Sequence, residues 1–126
     1  MPKKILVVED DTALANQLAG ALGQAGLEVT VSNDGETGFR QIQEKHPDLI
    51  ILDLVLPKKH GFKVLEDLQK NSELKTIPVI ILTNLETPQD IERAFSFGAK
   101  AYLVKANYSL PEIVKKVQGI LSGNEN

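Results

Sequence analysis

The sequence contains no cysteine, no tryptophan and a single methionine. Without thiols there is no disulfide framework, no thiolate metal site, no Fe–S cluster and no cysteine nucleophile. Such a chain fits a reducing compartment, and a cytoplasmic location is expected. A basic run is also missing, and 14 Lys and Arg against 17 Asp and Glu leave a net charge of −3. The electrostatic footprint for gripping phosphate backbones is therefore absent, and direct nucleic-acid binding is disfavoured. The longest apolar runs, around Leu49 to Leu56 and Ile77 to Leu82, fall far short of the ~20 residues that cross a bilayer. Only Ile5 to Val8 follow Met1-Pro2-Lys3-Lys4 before acids intervene, so neither a signal peptide nor a membrane anchor is expected there.

At 126 residues the chain has the length of one domain. Apolar, β-branched runs recur at Ile5 to Val8, Leu27 to Val31, Leu49 to Leu52, Val79 to Leu82 and Ala101 to Val104. Segments with helical spacing follow each of them. Their stripes are Leu14, Leu18, Ala21, Leu22 and Ala25; Phe39 and Ile42; Val64, Leu65 and Leu68; Ile91, Ala94 and Phe95; and Ile113, Val114, Val117, Ile120 and Leu121. Thr87 to Asp90 and Ser109 to Glu112 fit the capping-box pattern, and Gly26 and Gly98 stand where a left-handed C-terminal cap favours glycine. Runs that are continuous rather than alternating are covered on both faces, which predicts an α/β fold with a parallel sheet between two helical layers.

In an open α/β sheet ligands bind beyond the carboxyl ends of the strands, so the residue ending each run carries information. The first ends in Glu9-Asp10-Asp11, the third in Asp53, the fourth in Thr83 and the fifth in Lys105. Connectivity alone carries carboxylates, a hydroxyl and an ammonium toward one rim. Carboxylates a few Å apart repel by roughly 1 to 4 kcal/mol per pair and call for a cation. Oxygen ligands without paired His or Cys suit a hard ion, and few carboxylates with open positions suit Mg²⁺ better than a calcium cage. An ammonium and a hydroxyl beside them suit the oxygens of a phosphoryl group, with Asp53 as the nucleophile.

On these residues the sequence resembles the receiver domain of bacterial two-component response regulators. The resemblance covers essentially the whole chain and rests on Ile5-Leu6-Val7-Val8-Glu9-Asp10, on Asp53 followed by Pro57 and Gly61, on Leu82-Thr83 and on Tyr102-Leu103-Val104-Lys105. It implies a flavodoxin-like doubly wound (βα)5 three-layer sandwich, whose five-stranded parallel sheet has the order 2-1-3-4-5. Asp53 then looks like the phosphoacceptor, taking a phosphoryl group from a histidine kinase or phosphotransfer protein. Asp10 looks like a direct Mg²⁺ ligand, with Mn²⁺ as a substitute, Glu9 like a ligand through water, and the Val55 carbonyl like a further one. Thr83 and Lys105 look like the phosphoryl-binding pair. Tyr102 matches the switch aromatic, expected to turn inward and remodel the face of the fourth helix, fifth strand and fifth helix for a downstream protein target or output domain. Dimerisation on phosphorylation is left open.

Three positions depart from the common pattern. Asn84 follows Thr83 where a small residue is usual, which narrows access to Asp53 or adds an amide to the pocket. Leu56 replaces methionine, a volume-conserving change. Ala106 follows Lys105 where proline is usual, and because a non-proline cis peptide costs ~3 kcal/mol, a trans bond is expected. Val55, Asn84 and Leu85 are the rate-tuning positions of the resemblance, and since neither Val55 nor Leu85 can orient a water, slow self-dephosphorylation is expected.

Blander roles are assigned elsewhere. Asp11 reads as the cap of the first helix, His46 and His60 as surface residues, and Lys58, Lys59 and His60 as a solvated loop able to steer a phosphorylated partner. Two other function classes share parts of this pattern. A haloacid-dehalogenase-like phosphatase also combines Asp, Thr, Lys and Mg²⁺, but places its nucleophile in an Asp-x-Asp motif ending the first strand. A flavodoxin-like flavin binder needs a Ser/Thr/Gly-rich loop where this chain has three acids. The expected organisation is a receiver domain over residues 1–122 and a short tail over 123–126, with no output domain encoded. No true enzyme is expected, the chemistry implied being limited to the chain's own phosphorylation and dephosphorylation.

Overall fold

A computed structural model describes residues 2–123, so most of the expected tail lies outside the described residues. Each apolar run forms a strand, and each strand is followed by a helix. The order is β1 (Lys4–Val8), α1 (Thr12–Gln24), β2 (Glu28–Ser32), α2 (Gly35–Lys45), β3 (Leu49–Leu52), α3 (Gly61–Gln69), β4 (Val79–Thr83), α4 (Pro88–Ser96), β5 (Ala101–Val104) and α5 (Leu110–Leu121). All four strand pairings are parallel, and the sheet order is β2-β1-β3-β4-β5. The order reverses between β1 and β3, which opens the crevice at their carboxyl ends.

Successive side chains of a strand point to opposite faces, so each run feeds two cores. Ile5, Val7, Ile51 and Leu82 pack with Leu18 and Leu22 of α1 and with Ile113 and Val117 of α5. Leu6, Val8, Ile50 and Leu52 pack on the other face with Ile42 of α2, Val64, Leu65 and Leu68 of α3, and Ala94 of α4. Every residue of β3 and β4 is buried, as strands sandwiched between two helical layers must be.

Local chemistry sets the helix ends. The Asp11 carboxylate accepts from the Leu14 N–H at 3.2 Å, confirming its capping role, and Asp34 accepts from the Thr37 N–H at 2.7 Å. Ser109 and Glu112 form a complete capping box. Thr87 caps α4, but Asp90 accepts from the Thr87 hydroxyl at 2.8 Å rather than from its backbone, so the second box is only half made. Gly26 and Gly98 take φ of 88° and 92°, the left-handed region expected of them. His46 and His60 are surface residues with a structural use: His46 ends α2 at φ 46°, and His60 Nδ1 accepts from the Phe62 N–H at 3.3 Å.

The stripe assigned to α4 is narrower than the sequence pattern suggests. Ala94 alone is buried, Ile91 is half-buried, and Phe95 is 46% exposed. One residue turns the helix by about 100°, so a stripe centred on Ala94 leaves Phe95 facing solvent.

Candidate functional site

Parallel register brings the strand-end residues together. Val8 pairs with Leu52 and Thr83 with Val104, so Glu9 and Asp53 emerge side by side while Lys105 follows just beyond Thr83. The Asp53 N–H donates to the Val8 carbonyl at 3.0 Å, fixing the Asp53 backbone to the strand that carries the acids. Glu9, Asp53 and Thr83 are almost completely buried. Glu9, Asp10 and Asp53 each offer a carboxylate oxygen, and these lie within 4.8 Å of one another.

Lys105 closes the site from the end of β5. Its ammonium is 2.7 Å from Glu9 Oε1 and 2.9 Å from Asp53 Oδ2. The remaining carboxylate oxygens are also engaged: Glu9 Oε2 accepts from the Asp11 N–H at 3.1 Å, and Asp53 Oδ1 from the Val55 N–H at 3.2 Å. Burial pushes the Glu9 carboxyl up to about 7 although Lys105 and the Asp11 N–H pull it down, with Asp53 adding repulsion. Burial opposes the Lys105 charge, but its bonds to Glu9 and Asp53 outweigh that and hold its pKa above the ordinary lysine value. Asp10, Asp53, Val55, Thr83, Asn84 and Lys105 line an open cavity of about 260 Å³. All peptide bonds among the described residues are trans, including that from Lys105 to Ala106.

Thr83 and Tyr102 both bond the backbone of Leu85. Thr83 Oγ1 accepts from the Leu85 N–H at 3.4 Å, and the Tyr102 hydroxyl donates to the Leu85 carbonyl at 2.7 Å. Tyr102 is half-buried, and burial, with Asp90 and Asp53 nearby, pushes its phenol up to about 12, so it stays a donor. The Leu85 side chain packs against the core under α3 and α4 and does not line the cavity, whereas Val55 is 52% exposed at its mouth. Of the three positions expected to tune the rate, Val55 and Asn84 line the cavity and Leu85 does not. Leu56 is buried in the core, as a substitute for methionine should be.

One expectation is corrected. Lys59 does not belong to a solvated loop: its ammonium pairs with Asp67 at 2.6 Å and sits 3.8 Å from the centre of the Phe39 ring, pinning the segment after β3 to α2 and α3. Lys58 remains at the surface, 4.0 Å from Asp34. The sequence reading also passed over Asn33, whose amide donates to the Glu9 carbonyl at 2.9 Å. Nothing in a local pattern links residue 33 to residue 9; only the β1–β2 register does.

Three oxygen donors of this kind, with no nitrogen or sulfur among them, match a hard divalent cation. The family model of the response regulator receiver domain matches residues 5–118. The chain belongs to this family, and its sheet order is that of the flavodoxin-like receiver fold. It is similar to the transcriptional regulatory protein CiaR of Streptococcus pneumoniae, 41% identical over 98% of this chain and 55% of that one. It is also similar to response regulator Rcp1 of Synechocystis, 35% identical over 96% of this chain and 88% of the relative. The solved Mn(2+)-bound form of Rcp1 superposes with a TM-score of 0.81 over 96% of this chain and 93% of that one, at 35% identity. The phosphorylated cyanobacterial phytochrome response regulator RcpA does so with a TM-score of 0.84, covering 100% of this chain and 98% of that one, at 31% identity. The chain spans about half the length of several regulators it matches. Receiver domains are signalling domains that work with histidine kinases and bind Mg²⁺ or Mn²⁺ at an acidic pocket. These comparisons do not support the phosphatase alternative. No helix among the described residues is long and apolar enough to cross a membrane.

Proposed function

We propose that Asp53 is the phosphoacceptor of this receiver, taking a phosphoryl group from the phosphohistidine of a kinase or phosphotransfer protein. One observation carries the reading: the Lys105 ammonium and the buried Asp53 carboxylate meet at 2.9 Å in a cavity that Thr83 also lines. An Asp53 oxygen forms the bond to phosphorus while the bond from phosphorus to the histidine nitrogen breaks, and that nitrogen keeps the electron pair and takes up a proton. Lys105, already charged and aimed at Asp53, stays with the incoming phosphoryl oxygens, and the Thr83 hydroxyl exchanges the Leu85 N–H for one of them.

Asp10, Asp53 and the Val55 carbonyl would hold Mg²⁺ directly, with Glu9 acting through water. When bound, the ion offsets the carboxylate repulsion and the charge of the transferring group. Movement of Thr83 toward phosphorus frees the N–H of Leu85, the residue whose carbonyl Tyr102 holds, so the chemistry reaches the surface formed by α4, β5 and α5. That surface is proposed to meet the downstream protein or output domain, and dimerisation on phosphorylation is one form this could take. Direct contact with nucleic acid is not assigned to this segment, on the strength of its net charge of −3, although a DNA-binding regulator is among its partly matched relatives. The absence of cysteine supports a cytoplasmic setting. The catalysis is confined to the protein's own phosphorylation and its reversal.

The test is transfer from an autophosphorylated histidine kinase, or from acetyl phosphate, in Mg²⁺. The account expects one phosphoryl group per chain, lost when the metal is chelated and absent from Asp53→Asn. Equal phosphorylation of that variant would overturn it.

A further inference from the structure

The acidic residues hang on two loops, and a third loop that supplies no carboxylate to the site ties them together. β2 runs into Asn33-Asp34-Gly35. The Glu9 N–H donates to the Ser32 carbonyl at 2.9 Å, and the Asn33 amide donates to the Glu9 carbonyl at 2.9 Å, so both backbone groups of the residue before Asp10 are gripped from the end of β2 and the turn after it. Two residues on, the Gly35 N–H donates to the Pro57 carbonyl at 3.3 Å, and a Cβ on Gly35 would overlap the Lys59 carbonyl. That close approach seats the turn on the segment leading from Asp53 and Val55 into α3. Asp34, between the two contacts, caps α2, and Gly38 lets α2 lie against Val8.

We propose that Asn33 and Gly35 are positioning residues for the divalent-cation site: their turn sets the spacing between the Glu9-Asp10 and Asp53-Val55 segments, and so the affinity for the ion. The inference rests on the reading of Glu9, Asp10, Asp53 and Val55 as the ion's holders. Lys105 draws the Glu9 and Asp53 side chains together, but it fixes neither backbone. Asp10 is exposed, so its carboxylate depends on the backbone beneath it. Mg²⁺ demands near-ideal octahedral geometry at ~2.0–2.1 Å, which makes its affinity sensitive to a small drift between two ligand-bearing loops. Residues that orient ligands from outside typically change metal affinity by roughly 10–100-fold.

The experiment measures Mn²⁺ binding to the purified chain by electron paramagnetic resonance and calorimetry, beside the melting temperature of the metal-free protein. The variants are Asn33→Ala, Gly35→Ala and, as a control, Gln41→Ala, which removes the 2.6 Å partner of the Ser32 hydroxyl without touching either acidic loop. Asn33→Ala and Gly35→Ala should weaken Mn²⁺ about tenfold. Their phosphorylation by acetyl phosphate should recover at saturating Mg²⁺, a change in the metal requirement rather than in the maximal rate. Gln41→Ala should lower the melting temperature and leave Mn²⁺ affinity alone. If Gly35→Ala does not fold, Asn33→Ala decides. Unchanged affinity in Asn33→Ala, or an equal loss in Gln41→Ala, overturns the positioning role while the site itself stands. A wild-type chain that binds no Mn²⁺ overturns the cation site and the positioning role together.

Discussion

The Lys105 ammonium lies 2.7 Å from a carboxylate oxygen of the buried Glu9. Glu9 therefore already has a cationic partner within the fold. Desolvation is the larger force on the Glu9 carboxyl and lifts it from 4.5 to about 7.

A raised acid favours the fold when protonated, so its contribution is fully present below pH 4.5 and is lost as pH rises through about 7. Glu9→Gln copies the protonated form. The metal-free wild type should match that variant near pH 4.5 and fall below it by pH 8, by on the order of 1–3 kcal/mol. Asp34, held down by the Thr37 N–H, has the opposite pH dependence but is common to both proteins. Urea melts of the pair across that range check the sign, and a gap that does not widen with pH contradicts it.

Asp10 offers a second test, because it is exposed while Glu9 and Asp53 are buried. Mg²⁺ at ten times its Kd should stabilise the wild type by about 1.4 kcal/mol. Asp10→Asn should stabilise the metal-free protein, by relieving repulsion, and should lose the Mg²⁺ response. Thermal melts with and without Mg²⁺ decide this, and a full response in the variant removes Asp10 from the ligand set.

The Leu85 backbone supplies a third. Tyr102→Phe deletes the 2.7 Å bond to the Leu85 carbonyl, a loss of about 1 kcal/mol, and should leave phosphorylation of Asp53 intact. Hydrogen exchange should quicken at residues 84–87 in this variant, and also in Thr83→Ala, which frees the Leu85 N–H. Unchanged exchange in both would show that Leu85 does not join them.

Position decides the fourth. Val55 stands at the cavity mouth and Leu85 packs into the core, so Val55→Asn should change the decay of the phosphorylated protein more than Leu85→Glu, and neither should prevent phosphorylation. Leu85→Glu instead places a charge against apolar neighbours and should lower the melting temperature. Decay followed by intact mass separates the two, and equal decay in wild type and both variants refutes rate tuning from these positions.

What the sequence made legible was whatever a strand end announces. Glu9, Asp53, Thr83 and Lys105 are each the first polar residue after an apolar run, and parallel register carried them to one rim. Side-chain partnerships across loops were not legible, because they depend on how neighbouring strands are paired. Lys59 looked solvated until α2 and α3 brought Phe39 and Asp67 to it. Asn33 carries no sequence signal, and only the pairing of β2 beside β1 sets it against Glu9. Phe95 fitted a helical stripe, but the part of α4 that meets the sheet is only as wide as Ala94.

The most direct test is chemical identification of the phosphorylated residue. The chain is treated with acetyl phosphate and Mg²⁺, reduced with borohydride to convert an aspartyl phosphate into homoserine, and sequenced by fragment-ion mass spectrometry. The account predicts homoserine at position 53 and none at positions 10 or 11. Homoserine at another acid, or a phosphoryl group that resists borohydride, would contradict it.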